Sequence, residues 1–432
     1  MRSHVRPCTL MPQAPLWPIG SPHTLSFLAA VLLLAWAGLR LWLAARHIRH
    51  VQAHRHRVPE HFSAVITPDA HQRAADYTLS KTRLSQTEAL ADTALIALLT
   101  LAGGLHILDI FWAQLLGNRG TAHGMALFAS VGLISLIAGL PFDLYRTFVL
   151  EEKFHFNRST PAQFVRDLFK QILLSLLIGA PLLWLALLWI DALGDAWWLG
   201  IWLFWLAVNL LMALLYPAFI APLFNRFVPL NDPLLRTRIE SLLARCQFSA
   251  AGLLVMDGSR RSSHANAYFT GFGRFRRIVF FDTLLDKLDP DEIEAVLAHE
   301  LGHYKRHHLW KTLGLLCVLS LVFCLALGTL LNSPLFYHAL GVSTPSKAMG
   351  LILFALWLPV VLLPLRPVFS ALSRRHEYEA DAYACANAPH RALERALLKL
   401  YRDNAATLTP DPLYSLFYDA HPPAALRLAR LP

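Results

Sequence analysis

Seven stretches of the chain stay apolar for about twenty residues, the helical length that crosses a bilayer core about 30 Å thick. They cover about 25–45, 89–113, 123–145, 171–191, 196–222, 310–332 and 349–371. Only "IDALGD" separates the fourth from the fifth, so those two form a hairpin. A long polar insert, 223–309, separates the fifth from the sixth. Within it, residues 265–269 and 277–281 are rich in β-branched and aromatic side chains and flank Gly271 and Gly273, the pattern of a β-hairpin. The insert ends on an amphipathic helix. Asp289 caps it, Pro290 suits its first turn, Asp291 and Glu292 complement its dipole, and Ile293, Val296 and Leu297 mark its buried stripe.

The pattern predicts a mainly α, polytopic membrane protein with seven transmembrane helices and a small cytoplasmic α+β portion. Its divisions are an N-terminal extension (1–24), five membrane helices with their loops (25–222), the insert (223–309), two membrane helices (310–371) and a C-terminal segment (372–432). Residues 1–20 read as a disordered extension, or as an overlong start with Met11 as the alternative beginning, and they lack a signal peptide's apolar core. Prolines 217, 222, 359 and 364, with Asn209 and Arg366, interrupt the spans on either side of the insert. Ordinary kinks explain them most simply; a water-filled interior is the sharper reading.

Composition agrees. Of 432 residues, 55% are hydrophobic and only 16% charged, against about 25% charged in soluble domains. Lysine and arginine alternate from loop to loop: 2 in the N-terminal tail, 7 in 46–88, 1 in 114–122, 5 in 146–170, none in the hairpin, 12 in 223–309, 1 in 333–348 and 9 after Leu365. By the positive-inside rule the N-terminus lies outside, and the insert and the C-terminus face the cytoplasm. The net charge of +10 is thereby topological; no clustered basic face suggests nucleic acid. Five scattered cysteines without a CxxC argue against a disulfide framework.

The chemistry lies at the end of the insert, in His299-Glu300-Leu301-Gly302-His303. Histidines four apart share a helix face and can grip one Zn²⁺, with Glu300 placed to take a proton from water. Arg306 and Leu309 stand where a metzincin needs Gly and His. His307, one turn past His303 on a continuing helix, lies too far from His299 to close the site. A carboxylate from another helix is then the default third ligand. In "SRRHEYEADAYACA", Glu377 and Asp381 share a face while Glu379 points elsewhere; one can ligate and the other accept the second N–H of a ligating histidine.

"SSHANAYFTGFGRFRRIVFFDTLL", "AVLAHELGHYKRHH", "SRRHEYEADAYA" and "HPPAALRLARL", in this order and with spans between them, closely resemble the type I CAAX prenyl endopeptidases. So do "LPFDLYRTFVLEEKFHFNRST" and "YPAFIAPLFNRF". The resemblance, over about 60–432, implies seven helices around a wet chamber with a gluzincin-type site of one zinc at its cytoplasmic end. It implies His299, His303 and Glu377 as ligands, Glu300 as acid or base, Asp381 as a supporting carboxylate, His421 and Arg427 facing the site, and Asn266 holding substrate on an edge strand. A peptide could add as a strand there, with His421 or Arg427 donating to the oxyanion.

The expected activity is zinc-dependent endopeptidase cleavage near the cytoplasmic face. The expected partners are the bilayer and a peptide or membrane-protein substrate, lipid-modified or not. The compact loops and the end at Pro432, without a retrieval signal, favour a bacterial cytoplasmic membrane. Two alternatives stand beside this reading: a quality-control protease with unprenylated substrates, and a non-catalytic membrane scaffold with zinc. Structural zinc normally has four protein ligands, and only three good ones are visible here.

Overall fold

The computed structural model describes residues 22–271 and 276–431. The expected extension up to Ser21, and Gly273 at the hairpin tip, lie outside the described residues. The first half is helical: α1 (Pro22–His54), α2 (Pro68–Leu99), α3 (Gly104–Leu116), α4 (Thr121–Tyr145), α5 (Pro161–Leu174), α6 (Ala180–Ala192), α7 (Trp197–Leu215) and α8 (Ala221–Phe224). Turns of π-helix at Arg146–Glu151, Ser175–Gly179 and Tyr216–Ile220 continue α4, α5 and α7. The last contains Pro217, where the backbone lacks a donor.

The second half begins with α9 (Pro233–Arg245) and α10 (Asp282–Leu285), followed by α11 (Pro290–Lys305), α12 (His308–Leu330), α13 (Pro334–Ala339), α14 (Lys347–Leu362) and α15 (Arg366–Asn387). Three short helices follow: α16 (Ala392–Asp403), α17 (Pro412–Tyr418) and α18 (Ala424–Leu428).

Among the described residues, six helical runs are long and apolar enough to cross a membrane, and seven if a bent pair counts as one span. That pair is α2 and α3, which meet at 50°. The second span is therefore broken rather than the plain helix expected over 89–113. Gly103 causes the break: at φ +80° it takes the left-handed conformation that ends helices, and its N–H bonds Thr100 O at 2.9 Å. Apolar side chains cover the outside, Phe219 and Leu177 being 67% and 63% exposed. A girdle of that kind suits lipid.

Inside, a cavity of about 480 Å³ opens between α1, α2, α4 and α14, with Arg40, Glu88, Asp92, Asp143 and Pro359 on its wall. Arg40 pairs with Asp92 at 3.1 Å, as charges at membrane depth do when turned inward. Asn209 instead bonds Trp205 O of its own helix at 2.8 Å. The interruptions near the seventh span thus border a polar interior, whereas Asn209 is satisfied locally.

The insert carries a four-stranded sheet, β1 (Phe227–Pro229), β2 (Gly252–Met256), β3 (Ala267–Thr270) and β4 (Arg277–Phe281), in the order β1-β2-β4-β3. β3 and β4 are the antiparallel hairpin the alternation predicts, and β3 is an outer strand. Ile239, Leu242, Phe280, Ala295, Leu301, Ala384 and Ala396 form one core joining α9, the sheet, α11, α15 and α16. Burial of each large side chain there contributes about 1.5–3 kcal/mol.

Two devices place α11. At its start Glu292 accepts the N–H of Asp289 at 2.9 Å, and Lys399 bonds both carboxylates at 2.7 and 2.8 Å. Midway, Gly302 lies flat on α15, where a Cβ would stand 2.8 Å from Ala380 Cα. A turn at Leu363–Leu365 joins α14 to α15, so the seventh span continues to Asn387 and carries Glu377 to the HExxH face.

Candidate metal centre

α11 presents His299 and His303 side by side, their Nε2 atoms 3.2 Å apart. Glu377 of α15 closes the third side: Oε2 is 3.6 Å from His299 Nε2 and Oε1 is 3.3 Å from His303 Nε2. One ligand atom from each lies within 4.8 Å of the others, the one such group found among the described residues. Bonds of about 2.0–2.2 Å from a tetrahedral Zn²⁺ span such distances. Two imidazole nitrogens and a largely buried carboxylate converging on one point are a donor set that suits Zn²⁺, so the residues fit a metal.

Each histidine is oriented from behind. His299 Nδ1 donates to Asp381 Oδ1 at 2.8 Å. Asp381 is held in turn by Arg427, Nε to Oδ2 and Nη2 to Oδ1, both at 2.7 Å. His303 Nδ1 meets His308 Nδ1 at 3.0 Å, and His308 Nε2 meets Glu379 Oε2 at 3.0 Å. His308 also stacks on His376, ring centroids 4.0 Å apart. Both chains leave Nε2 of the ligating histidines free for a metal.

The second chain is absent from the sequence reading. His308, five residues past His303, falls roughly 140° around a continuous helix. The helix is not continuous, however. α11 ends at Lys305, His307 turns the backbone at φ +57°, and His308 opens α12. The continuing helix assumed for His307 is thereby corrected. Glu379 does point away from the metal ligands, but toward His308. The only local signal was a run of histidines, with neither Gly nor Pro to mark the break.

Glu300 is half-buried beside the triad. Burial pushes its carboxyl above the usual range, against the pull of His299 and His303. His421 Nδ1 lies 2.7 Å from Glu377 Oε2, a bond that raises the imidazole above its ordinary value. Its ring is otherwise open, with 69% of the side chain exposed. Arg427 is 6% exposed; burial disfavours its charge, yet the bonds to Asp381 hold it well above normal. Its Nη2 is also 3.4 Å from Glu377 Oε2. Asn266 sits exposed at the start of β3, away from this cluster of contacts; its carbonyl accepts Phe281 N at 3.0 Å and its Oδ1 accepts Ala267 N at 2.8 Å.

The chain is similar to known proteins over most of its length. Residues 47–226 match the family described as "CAAX prenyl protease N-terminal, five membrane helices", and 229–432 match "Peptidase family M48". A "CAAX prenyl protease 1 homolog" of Oryza sativa is 36% identical over 87% of this chain and 90% of its own length. A homologue of the same name in Homo sapiens is 31% identical over 96% and 97%. The crystal structure of S. mikatae Ste24p superposes with a TM-score of 0.88 at 29% identity, covering 94% of this chain and 98% of that one. The chain belongs to the CAAX prenyl protease family, integral-membrane metallopeptidases of peptidase family M48.

Proposed function

We propose that the chain is a zinc endopeptidase whose site faces the cytoplasm and hydrolyses a peptide bond near a substrate's C-terminus. The observation that carries this reading is the convergence of His299, His303 and Glu377, with Glu300 beside them. Zn²⁺ held by these three would polarise a carbonyl and acidify water. Glu300 takes the proton from the attacking water and passes it to the leaving amine, a role its raised carboxyl suits. Asp381 and the His308–Glu379 pair hold the ligating rings in the required tautomer.

His421 donates to the oxyanion of the scissile carbonyl. Its Nδ1 is on Glu377, which leaves Nε2 for substrate. Arg427 suits this role less, because Asp381 occupies two of its nitrogens; it locks the carboxylate behind His299. Asn266 and the outer edge of β3 receive the peptide as an added strand.

In this reading 25–222 and 310–371 form the membrane part, and 223–309 and 372–432 the catalytic part. The basic loops support a cytoplasmic position for the latter. The short loops alone suggest a bacterial cytoplasmic membrane. The relatives' names point to prenylated CAAX substrates; unprenylated membrane proteins remain the second reading. Cleavage of matched prenylated and unprenylated peptides by purified wild type and Glu300→Ala tests the first. Metal-dependent cleavage of the prenylated peptide, lost in the variant, supports it. Equal turnover by the two proteins overturns the mechanism.

A further inference from the structure

A second cavity, also about 480 Å³, lies past the N-terminal end of β3. His264 forms part of its wall on the strand side, Asp419 near His421, and Lys81 and Arg146 beyond. It shares Glu88 with the cavity among the membrane helices, so the two adjoin.

The chain is firmly anchored where β3 meets this cavity. Ala265 N bonds Asn404 Oδ1 at 3.2 Å and His264 O accepts Thr283 Oγ1 at 2.9 Å. Because the Asn266 carbonyl faces β4, alternation turns the backbone groups of Ala267 and Phe269 to the outer edge. A peptide added there in the commoner antiparallel sense runs from Thr270 toward Asn266. Its C-terminal part then leaves the strand toward His264 and the cavity.

The charges around the cavity are mostly spoken for. Arg146 pairs with Glu88 and Asp143. Glu151, just behind the wall, accepts from Tyr77 Oη at 2.7 Å and lies 3.6 Å from His264 Nε2. Asp419 is bonded by Ser415, and burial raises its carboxyl, which weakens it as a competing anion. Lys81 differs. Its side chain is exposed and its Nζ stands 4.8 Å over the Tyr77 ring. Among the described residues it makes no ion pair. It stands over an aromatic face, with Glu151 acting on it from beyond ion-pair distance, at the end of the track a substrate's C-terminus would follow.

We propose that Lys81 binds the C-terminal carboxylate of the peptide substrate, so that the enzyme counts its cleavage site from a free chain end. This rests on the peptidase reading above and adds a determinant of specificity to it. A substrate whose terminus is blocked or far downstream loses the charge-assisted bond.

The test uses the full-length zinc-loaded protein in detergent and two peptides of one sequence, ending in carboxylate or carboxamide. Wild type should favour the acid by about tenfold or more in kcat/KM, mainly through KM, the worth of one charge-assisted bond. Lys81→Met should bring the ratio of acid to amide close to one, and Lys81→Arg should restore most of the preference. A wild-type ratio near one overturns the proposal, and this arm does not depend on any variant folding. So does a ratio in Lys81→Met equal to that of wild type. Metal-dependent cleavage of both peptides without discrimination removes the carboxylate site alone. No metal-dependent cleavage of either removes the peptidase reading and this proposal with it.

Discussion

Arg427 grips Asp381 with two nitrogens, each 2.7 Å from a carboxylate oxygen. The side chains are 7% and 4% exposed, and Asp381 Oδ1 also meets His299 Nδ1 at 2.8 Å. One carboxylate thus ties α18 to the metal-binding face of α11. Arg427→Met strands that carboxylate in the interior, at a cost of about 3–5 kcal/mol. Thermal unfolding of the purified protein should show a clear drop in Tm together with weaker zinc retention. An unchanged Tm would mean that the pair is not what holds α18.

His308 and Glu379 should matter to the metal without touching it. Replacing His308 with Ala, or Glu379 with Gln, frees the His303 ring to rotate or take the wrong tautomer. Zinc affinity should fall about 10- to 100-fold, measured by competition with a chromophoric chelator. Affinities equal to wild type would reduce the chain His303–His308–Glu379 to packing.

Gly302 is needed for contact between helices. A Cβ there would lie 2.8 Å from Ala380 Cα and 3.0 Å from Ala380 O, both backbone atoms with little freedom to move. Gly302→Ala should force α11 and α15 apart, lower stability by about 1–3 kcal/mol and weaken zinc binding, since the ligands are divided between these helices. Wild-type stability and zinc affinity in this variant would show that the two helices tolerate the separation.

The parts of the molecule legible in the sequence are those set by local pattern. Apolar length marked the spans, Asp289-Pro290 marked the start of α11, and β-branched and aromatic runs marked the β3–β4 hairpin. HExxH named two facing histidines because four residues make about one helical turn. What the sequence concealed depends on backbone breaks and on long-range partners. The bend between α2 and α3 hangs on Gly103, but Gly104 beside it is helical, so glycine alone did not locate a corner. The turn at His307 has no glycine or proline, which hid the contribution of His308. Arg427 reads from the resemblance as a group facing the site; its two bonds to Asp381 are long-range contacts that no local pattern marks.

Removing the metal should separate fold from function. The core that joins the sheet to α9, α11, α15 and α16 is apolar and contains none of the three ligands, so chelation should abolish cleavage while leaving the helical content near that of the loaded protein. Zn²⁺ added back should restore turnover. Circular dichroism and peptide cleavage on one sample check both halves.

The most direct measurement is single-turnover cleavage of a C-terminal peptide by wild type and Glu300→Ala, each first shown by metal analysis to carry one zinc per chain. Equal zinc content with a loss of about 10²–10⁴-fold in the rate of cleavage is the predicted result. Glu300→Ala that holds its zinc and cleaves as fast as wild type would contradict the account.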